Sequence, residues 1–175
     1  MKTNIYWFRQ DLRLDDSPAL LKACENAEHL ILVYIHPTRL QGDTVWGFAR
    51  TGERRAAHLR ATLQELRASI ASRGNQLLEC VGEPAQVLKS LTDTFGAESV
   101  YCEAIEAPEE RADVVSLESR GIQVVSTWQS TMFDPTTLPF APQEMPDIFT
   151  AFRQKIEQSG VPPREPLAAP MHLPS

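Results

Sequence analysis

The sequence predicts an α/β fold: a doubly wound, five-stranded parallel sheet with helices on both faces. Three observations predict it. Apolar, β-favouring runs of strand length recur along the chain, near residues 4–8, 29–36, 75–81, 99–102 and 122–127. Segments with helical signals separate these runs. Because strands alternate with helices, the sheet is expected to be mainly parallel, with right-handed crossovers.

The first strand and the first helix are joined by a strongly charged loop. Residues 4–8 read as a buried strand, and Ser17 with Pro18 has the signature of a helix start, an N-cap followed by proline at the first helical position. Between them the loop carries Arg9, Asp11 and Arg13. These three side chains either pair with one another and fix the loop, or contact a ligand at the carboxyl edge of the sheet.

The later helices are read from periodicity and from their ends. The clearest spans about 52–73, where apolar residues step by three and four along one face and Gly74 follows as a stop signal. Pro84 and Pro108 open two more helices, and Phe95 is expected to turn inward from the first of them. The connection 37–51 is long for a strand-to-helix loop, a length often associated with function.

The character of the chain changes near residue 130. Nine of the thirteen prolines lie from Pro135 onward, which disfavours sheet ladders and long helices. We therefore divide the chain into an α/β domain, 1–130, and a proline-rich C-terminal arm or linker, 131–175. One helix, about 147–158, interrupts the arm. Its stripe of Phe149, Phe152 and Ile156 is expected to be only partly covered in this chain.

Composition narrows the possible partners and compartments. The formal net charge is −6 and the pI is about 5.2, so direct binding to a nucleic-acid backbone is not expected. The three cysteines fit neither a zinc site nor a disulfide framework. No secretory signal and no apolar run long enough to span a membrane is present, so a cytoplasmic location is expected.

Several motifs resemble the DNA photolyase and cryptochrome family. The opening, Trp-Phe-Arg-x-Asp-Leu-Arg-Leu-x-Asp-x-Pro-Ala-Leu at 7–20, matches its first motif, with Ser17 in place of the usual Asn. Thr-Gly-Glu-Arg-Arg at 51–55 and Trp-Gln-Ser-Thr-Met at 128–132 are also similar to family segments. Leu-Pro-Phe at 138–140 and Met-Pro-Asp-Ile-Phe-Thr-Ala-Phe-Arg at 145–153 resemble the DASH branch of cryptochromes.

The resemblance covers essentially the whole chain but only the amino-terminal part of a family member. It implies a Rossmann-like domain that binds a light-harvesting antenna chromophore, either methenyltetrahydrofolate or another antenna. It also implies a missing helical domain, which in the family binds FAD and receives damaged DNA. The parent activity is that of deoxyribodipyrimidine photo-lyase, driven by blue light. This chain alone is expected to hold no catalytic residue and no metal, to bind no FAD and to repair no DNA.

The resemblance also suggests cofactor-binding residues. Glu106 resembles the family carboxylate that holds the pterin ring, and a carboxylate suits the adjacent amino group and ring N–H of a pterin edge. Arg9, Gln10 and His36 follow the first two strands. If those strands are central neighbours, these residues flank the topological switch point, where some relatives hold a flavin or deazaflavin.

Two other classes of function remain open at the level of sequence. One is a stand-alone small-ligand or nucleotide-binding module on the same fold, since a fold does not determine a function. The other is an interaction domain whose partner supplies the helical half. The sequence has no glycine-rich phosphate loop and no Ser-His-Asp arrangement, so it gives no support for hydride transfer, NTP hydrolysis or acyl transfer.

Overall fold

The computed structural model describes all 175 residues and confirms the α/β prediction. Five strands alternate with four helices, and a fifth helix follows in the C-terminal arm. The strands are β1 Thr3–Phe8, β2 His29–Pro37, β3 Leu77–Gly82, β4 Ser99–Glu103 and β5 Gln123–Thr127. The helices are α1 Pro18–Glu25, α2 Glu53–Ala71, α3 Pro84–Phe95, α4 Pro108–Glu118 and α5 Phe149–Ser159. Short 3₁₀ turns occur at Thr38–Leu40, Pro135–Thr137 and Pro142–Glu144.

All four strand pairings are parallel, and the strand order is β3-β2-β1-β4-β5. The chain builds outward from β1 through β2 to β3, then returns to the other side of β1 with β4. The order therefore reverses between β1 and β4, and the connections leaving these two strands diverge there. Open α/β sheets bind ligands in the crevice that such a reversal creates.

The core has two layers, one on each face of the sheet. Helices α1 and α2 pack on one face through residues such as Leu20 and Ile70. Helices α3 and α4 pack on the other through Leu88 and Leu117. The prediction that Phe95 turns inward from α3 was wrong, because this last residue of the helix is half exposed.

The predicted start of α1 is confirmed in detail. The Ser17 hydroxyl accepts a hydrogen bond from the main-chain N–H of Leu20, which satisfies one free donor of the first helical turn. Ser17 also lies 3.1 Å, oxygen to oxygen, from the Tyr6 hydroxyl. Burial raises the pKa of Tyr6 to about 12. The cap thus joins the loop after β1 to the centre of the sheet.

The C-terminal arm crosses the surface of the domain and re-enters its core. In α5, Phe149 is 73% exposed whereas Ile156 is buried, so the predicted stripe is only partly covered. Residues 164–174, which we call the C-terminal strap, then run back along the α1 and α2 face, and Leu173 joins the buried cluster there. No helix of the protein is both long enough and apolar enough to cross a membrane.

The strap is held by main-chain and side-chain bonds. The Asp16 N–H donates to the Leu167 carbonyl at 2.7 Å, and the Arg164 guanidinium pairs with the Asp16 carboxylate at 2.6 Å. Asp16 has a positive φ of 51°, and its hydrogen bond from Arg164 lowers its pKa. Farther on, the Leu173 N–H donates to the Arg73 carbonyl at 3.0 Å. The strap therefore ties the loop before α1 to the end of α2.

Candidate functional site

A cavity of about 510 Å³ lies at the carboxyl edge of the sheet. Its walls come from the ends of β1 and β2, the first half of α2 and the first turns of α4. The lining includes Trp7, Arg9, Gln10, Arg39, Arg55 and Asp113. Ligand pockets usually measure a few hundred to a thousand cubic ångströms, so this cavity is large enough for an aromatic cofactor. A depression of similar size at the opposite, amino-terminal edge lies away from the switch point.

Arg9 fixes the wall of the cavity beside the switch point. Its guanidinium donates to the Glu103 carbonyl at 3.1 Å and to the Glu110 carbonyl at 2.7 Å, which joins the end of β4 to α4. The guanidinium carbon lies 4.6 Å from the ring centroid of Trp7, close enough for a cation–π contact. Gln10 follows and donates to the Glu110 carboxylate at 3.3 Å. The structure therefore brings the predicted residues Arg9 and Gln10 together in one wall.

The pairing predicted for the charged loop is only partly confirmed. Arg13 pairs with Asp11 at 2.9 Å, but Arg9 bonds to the two carbonyls instead of to Asp11. Asp11 also accepts a hydrogen bond from the buried amide of Gln129 at 3.2 Å. The Gln129 side chain in turn accepts from the Ala19 N–H at 3.0 Å. The loop is thus held by both ion pairing and a buried amide.

The opposite wall contains Arg39 and Arg55, and the role of Arg39 was not predicted from the sequence. Arg39, in the 3₁₀ turn after β2, forms a bidentate pair with Asp113 of α4 at 2.8 and 3.3 Å. Burial raises the pKa of Asp113, and Arg39 partly offsets this. Arg55 lines the cavity without any ion pair. Its position two residues into α2 was visible in the sequence, but the direction of its side chain was not.

The predicted place of His36 at the switch point was wrong. The reversal lies between β1 and β4, whereas His36 is on β2 and faces β3. Its Nε2 lies 3.1 Å from the Glu79 carboxylate, and its ring packs edge-on against Tyr34. His36 lines a neighbouring depression between β2, the following loop and α2, not the cavity that contains Arg9. A cofactor-binding role for His36 stays a prediction.

Glu106 lies on the surface after β4. Its side chain is 61% exposed and lies 3.6 Å from the Arg111 guanidinium. It is at the predicted sheet edge but does not line the cavity. The structure therefore does not bring Glu106 together with Arg9, Gln10 or His36. A ligand held by Glu106 would occupy a different, open surface.

Possible metal ligands of the chain include its His, Asp and Glu side chains and its three cysteines. No three His, Cys, Asp or Glu side chains are grouped so that they could hold a metal ion. Cys24, Cys80 and Cys102 are free, and burial raises the pKa of each thiol. Raised thiol pKa values make the nucleophilic thiolate scarce at neutral pH.

Comparison with known proteins decides the family. The model of the DNA photolyase family matches residues 4–171. The chain belongs to the DNA photolyase family. It corresponds to the N-terminal domain of that family and is similar to cryptochromes of the DASH type.

Individual relatives show how much of a family member the chain covers. It is 37% identical to a cryptochrome DASH of Natronomonas pharaonis, with 100% of this chain and 38% of the relative aligned. The solved Synechocystis sp. PCC6803 cryptochrome superposes with a TM-score of 0.92 at 35% identity, covering 99% of this chain and 37% of that one. The chain thus spans little more than a third of either cryptochrome relative.

A more distant solved structure shares the fold. The archaeal photolyase of Sulfolobus tokodaii superposes with a TM-score of 0.78 at 21% identity, over 95% of this chain and 37% of the archaeal one. That structure is described as containing two FAD molecules, with the implication of a novel light-harvesting cofactor.

Proposed function

We propose that this chain binds the light-harvesting antenna chromophore of a DASH-type cryptochrome or photolyase. The observation that carries the proposal is the 510 Å³ cavity beside the topological switch point of a photolyase-family domain. In the complete protein, the antenna would absorb light and pass excitation energy to FAD. The protein's contribution is to hold the chromophore at a fixed distance and orientation.

The cavity has the chemistry that a flavin-type antenna requires. Three residues of the lining offer apolar contact for an aromatic ring system: Pro37, Leu40 and Leu59. The guanidinium of Arg55 has no carboxylate partner, so it is available for a phosphate or ring oxygen. Gln10 adds an amide that can both donate and accept. Arg9 is occupied by its two carbonyls and holds the wall in place.

Glu106 supports a second antenna, methenyltetrahydrofolate, on a different surface. Its exposed carboxylate can accept two hydrogen bonds from a pterin edge. Because that surface is open in this chain, we propose that the other side of a folate site comes from the helical FAD-binding domain of the complete protein. The same domain would be the route to damaged DNA and the seat of any lyase activity.

Absorption and fluorescence titrations of the purified chain test the proposal. Flavin mononucleotide should quench tryptophan fluorescence on binding beside Trp7, and Arg55→Ala should weaken that binding by about 10- to 100-fold, the loss expected for one charged hydrogen bond. Arg54→Ala is the matched control, since Arg54 is adjacent, exposed and outside the cavity lining. Binding that is equally strong in both variants would remove the flavin from this cavity.

The folate site needs a longer protein and a separate variant. In a form that carries the helical domain, Glu106→Gln should weaken methenyltetrahydrofolate by about 10- to 100-fold and leave flavin binding unchanged. Glu98→Gln, an exposed carboxylate at the opposite end of β4, is the control. A chain that binds nucleotides but neither antenna would instead support the reading as a small-ligand module.

A further inference from the structure

Glu103, the last residue of β4, is a buried carboxyl group that lacks a full set of partners. Its exposed fraction is 4%, and its Oε2 atom has no hydrogen-bond partner. No other carboxylate oxygen in the chain is buried without a partner. A buried, unpaired ionised carboxylate is costly, so the protonated form is favoured at this position.

Charged groups face Glu103 from several elements. The loop after β1 presents Asp11, whose main-chain N–H also points at the carboxyl group, together with Arg9 and Arg13. Other neighbours are Cys102 on β4 and Thr127 on the adjacent strand β5. The Thr127 hydroxyl accepts a hydrogen bond from Lys22 of α1. Burial, and next the charge of Asp11, raise the pKa of Glu103 to about 7, against the opposing effect of the two arginines.

The same residue is bound to the cavity wall through its main chain. The Glu103 carbonyl accepts from Arg9, and Arg9 also bonds to the Glu110 carbonyl and lies over Trp7. An ionised Glu103 carboxylate needs a further donor for Oε2, beyond the Asp11 N–H. Arg13 is already held by Asp11, whereas the bonds of Arg9 are to neutral carbonyls, which are weaker partners than a carboxylate.

We propose that the protonation state of Glu103 controls the position of Arg9 in the cavity wall, and we call this pair of residues the latch. With Glu103 protonated, Arg9 stays bound to the two carbonyls and over Trp7. Loss of the proton draws the Arg9 guanidinium toward the Glu103 carboxylate, which frees the Glu110 carbonyl and uncovers the Trp7 ring. The latch belongs to the ligand-free chain and does not depend on antenna binding.

A pH titration of Trp7 fluorescence tests the latch without any ligand. Replacing the two more exposed tryptophans, as Trp46→Phe and Trp128→Phe, leaves Trp7 as the only reporter. The emission should change in a one-proton transition centred near pH 7. Glu103→Gln should abolish the transition, and Asp11→Asn should move it to lower pH because a like charge is removed. Glu98→Gln, at the other end of the strand, should leave it unchanged.

A second measurement keeps the test decisive if Glu103→Gln fails to fold. Carbon-13 labelling of glutamate side chains should show by NMR one carboxyl group that titrates near pH 7 in the unaltered chain. The latch is wrong if every glutamate titrates below about pH 5.5, or if the Trp7 transition persists in Glu103→Gln. It is equally wrong if Glu103 titrates near pH 7 while Trp7 emission stays constant.

Discussion

Removing the Leu173 side chain tests whether the C-terminal strap is part of the folded domain. Leu173 is 4% exposed and belongs to a cluster of fifteen buried residues between the sheet, α1 and α2. Leu-to-Ala changes in cores cost about 2–5 kcal/mol, from lost transfer energy and the cavity that remains. Because the strap lies at the edge of the core and can shift inward, we expect Leu173→Ala to cost about 2–3 kcal/mol.

Equilibrium urea unfolding, followed by far-ultraviolet circular dichroism, measures this cost. The transition midpoint should fall while its denaturant slope stays the same, which identifies a loss of stability and not a change in compactness. Leu167→Ala is the matched control in the same strap, because Leu167 is 37% exposed. It should cost less than about 0.5 kcal/mol. A similarly small loss for Leu173→Ala would mean that the strap only lies on the surface.

Three further outcomes follow from the packing and from one raised pKa. Glu103→Gln should stabilise the protein against urea unfolding at pH 8 but not at pH 5. Folding raises the pKa of Glu103 from 4.5 to about 7. The unaltered protein therefore loses stability as pH rises through that window, by at most roughly 3 kcal/mol. Ser17→Ala should lower the free energy of unfolding by about 1 kcal/mol, through loss of the bond from the Leu20 N–H. Phe149→Ser should change thermal stability little because Phe149 is exposed, whereas Ile156→Ser should lower it clearly.

The fold was largely predictable because its signals are local. Each central strand is a continuous apolar run. Such a run is typical of a strand in a sheet that is covered by helices on both faces. The Ser17–Pro18 pair marks the start of α1. An N-cap followed by proline favours a helix start through local geometry, independently of the tertiary surroundings. Phe95 shows the limit of this reasoning. Helical spacing placed it on the inner face, but Phe95 is the last residue of α3 and is half exposed.

The attachment points of the strap were not predictable because its contacts come from distant parts of the chain. A proline-rich stretch reads as a surface arm or a linker, since it has no periodicity and cannot extend a sheet. Its attachment depends on the Asp16 main chain in front of α1 and on the Arg73 carbonyl after α2. Neither main-chain position has a signature in the sequence. The boundary at residue 130 stays a prediction, but the part beyond it contributes Leu173 to the core.

The candidate site depends on strand order, which the sequence does not contain. A return of the chain to the far side of β1 places β4, and not β2, at the reversal. That choice places Arg9 against Glu103 and Glu110. The pairing of β2 with β3 places His36 beside Glu79. The charged loop after β1 was recognisable as a wall of the site. The partners of Arg9 were not predictable, because Glu103 and Glu110 follow it by 94 and 101 residues in the sequence.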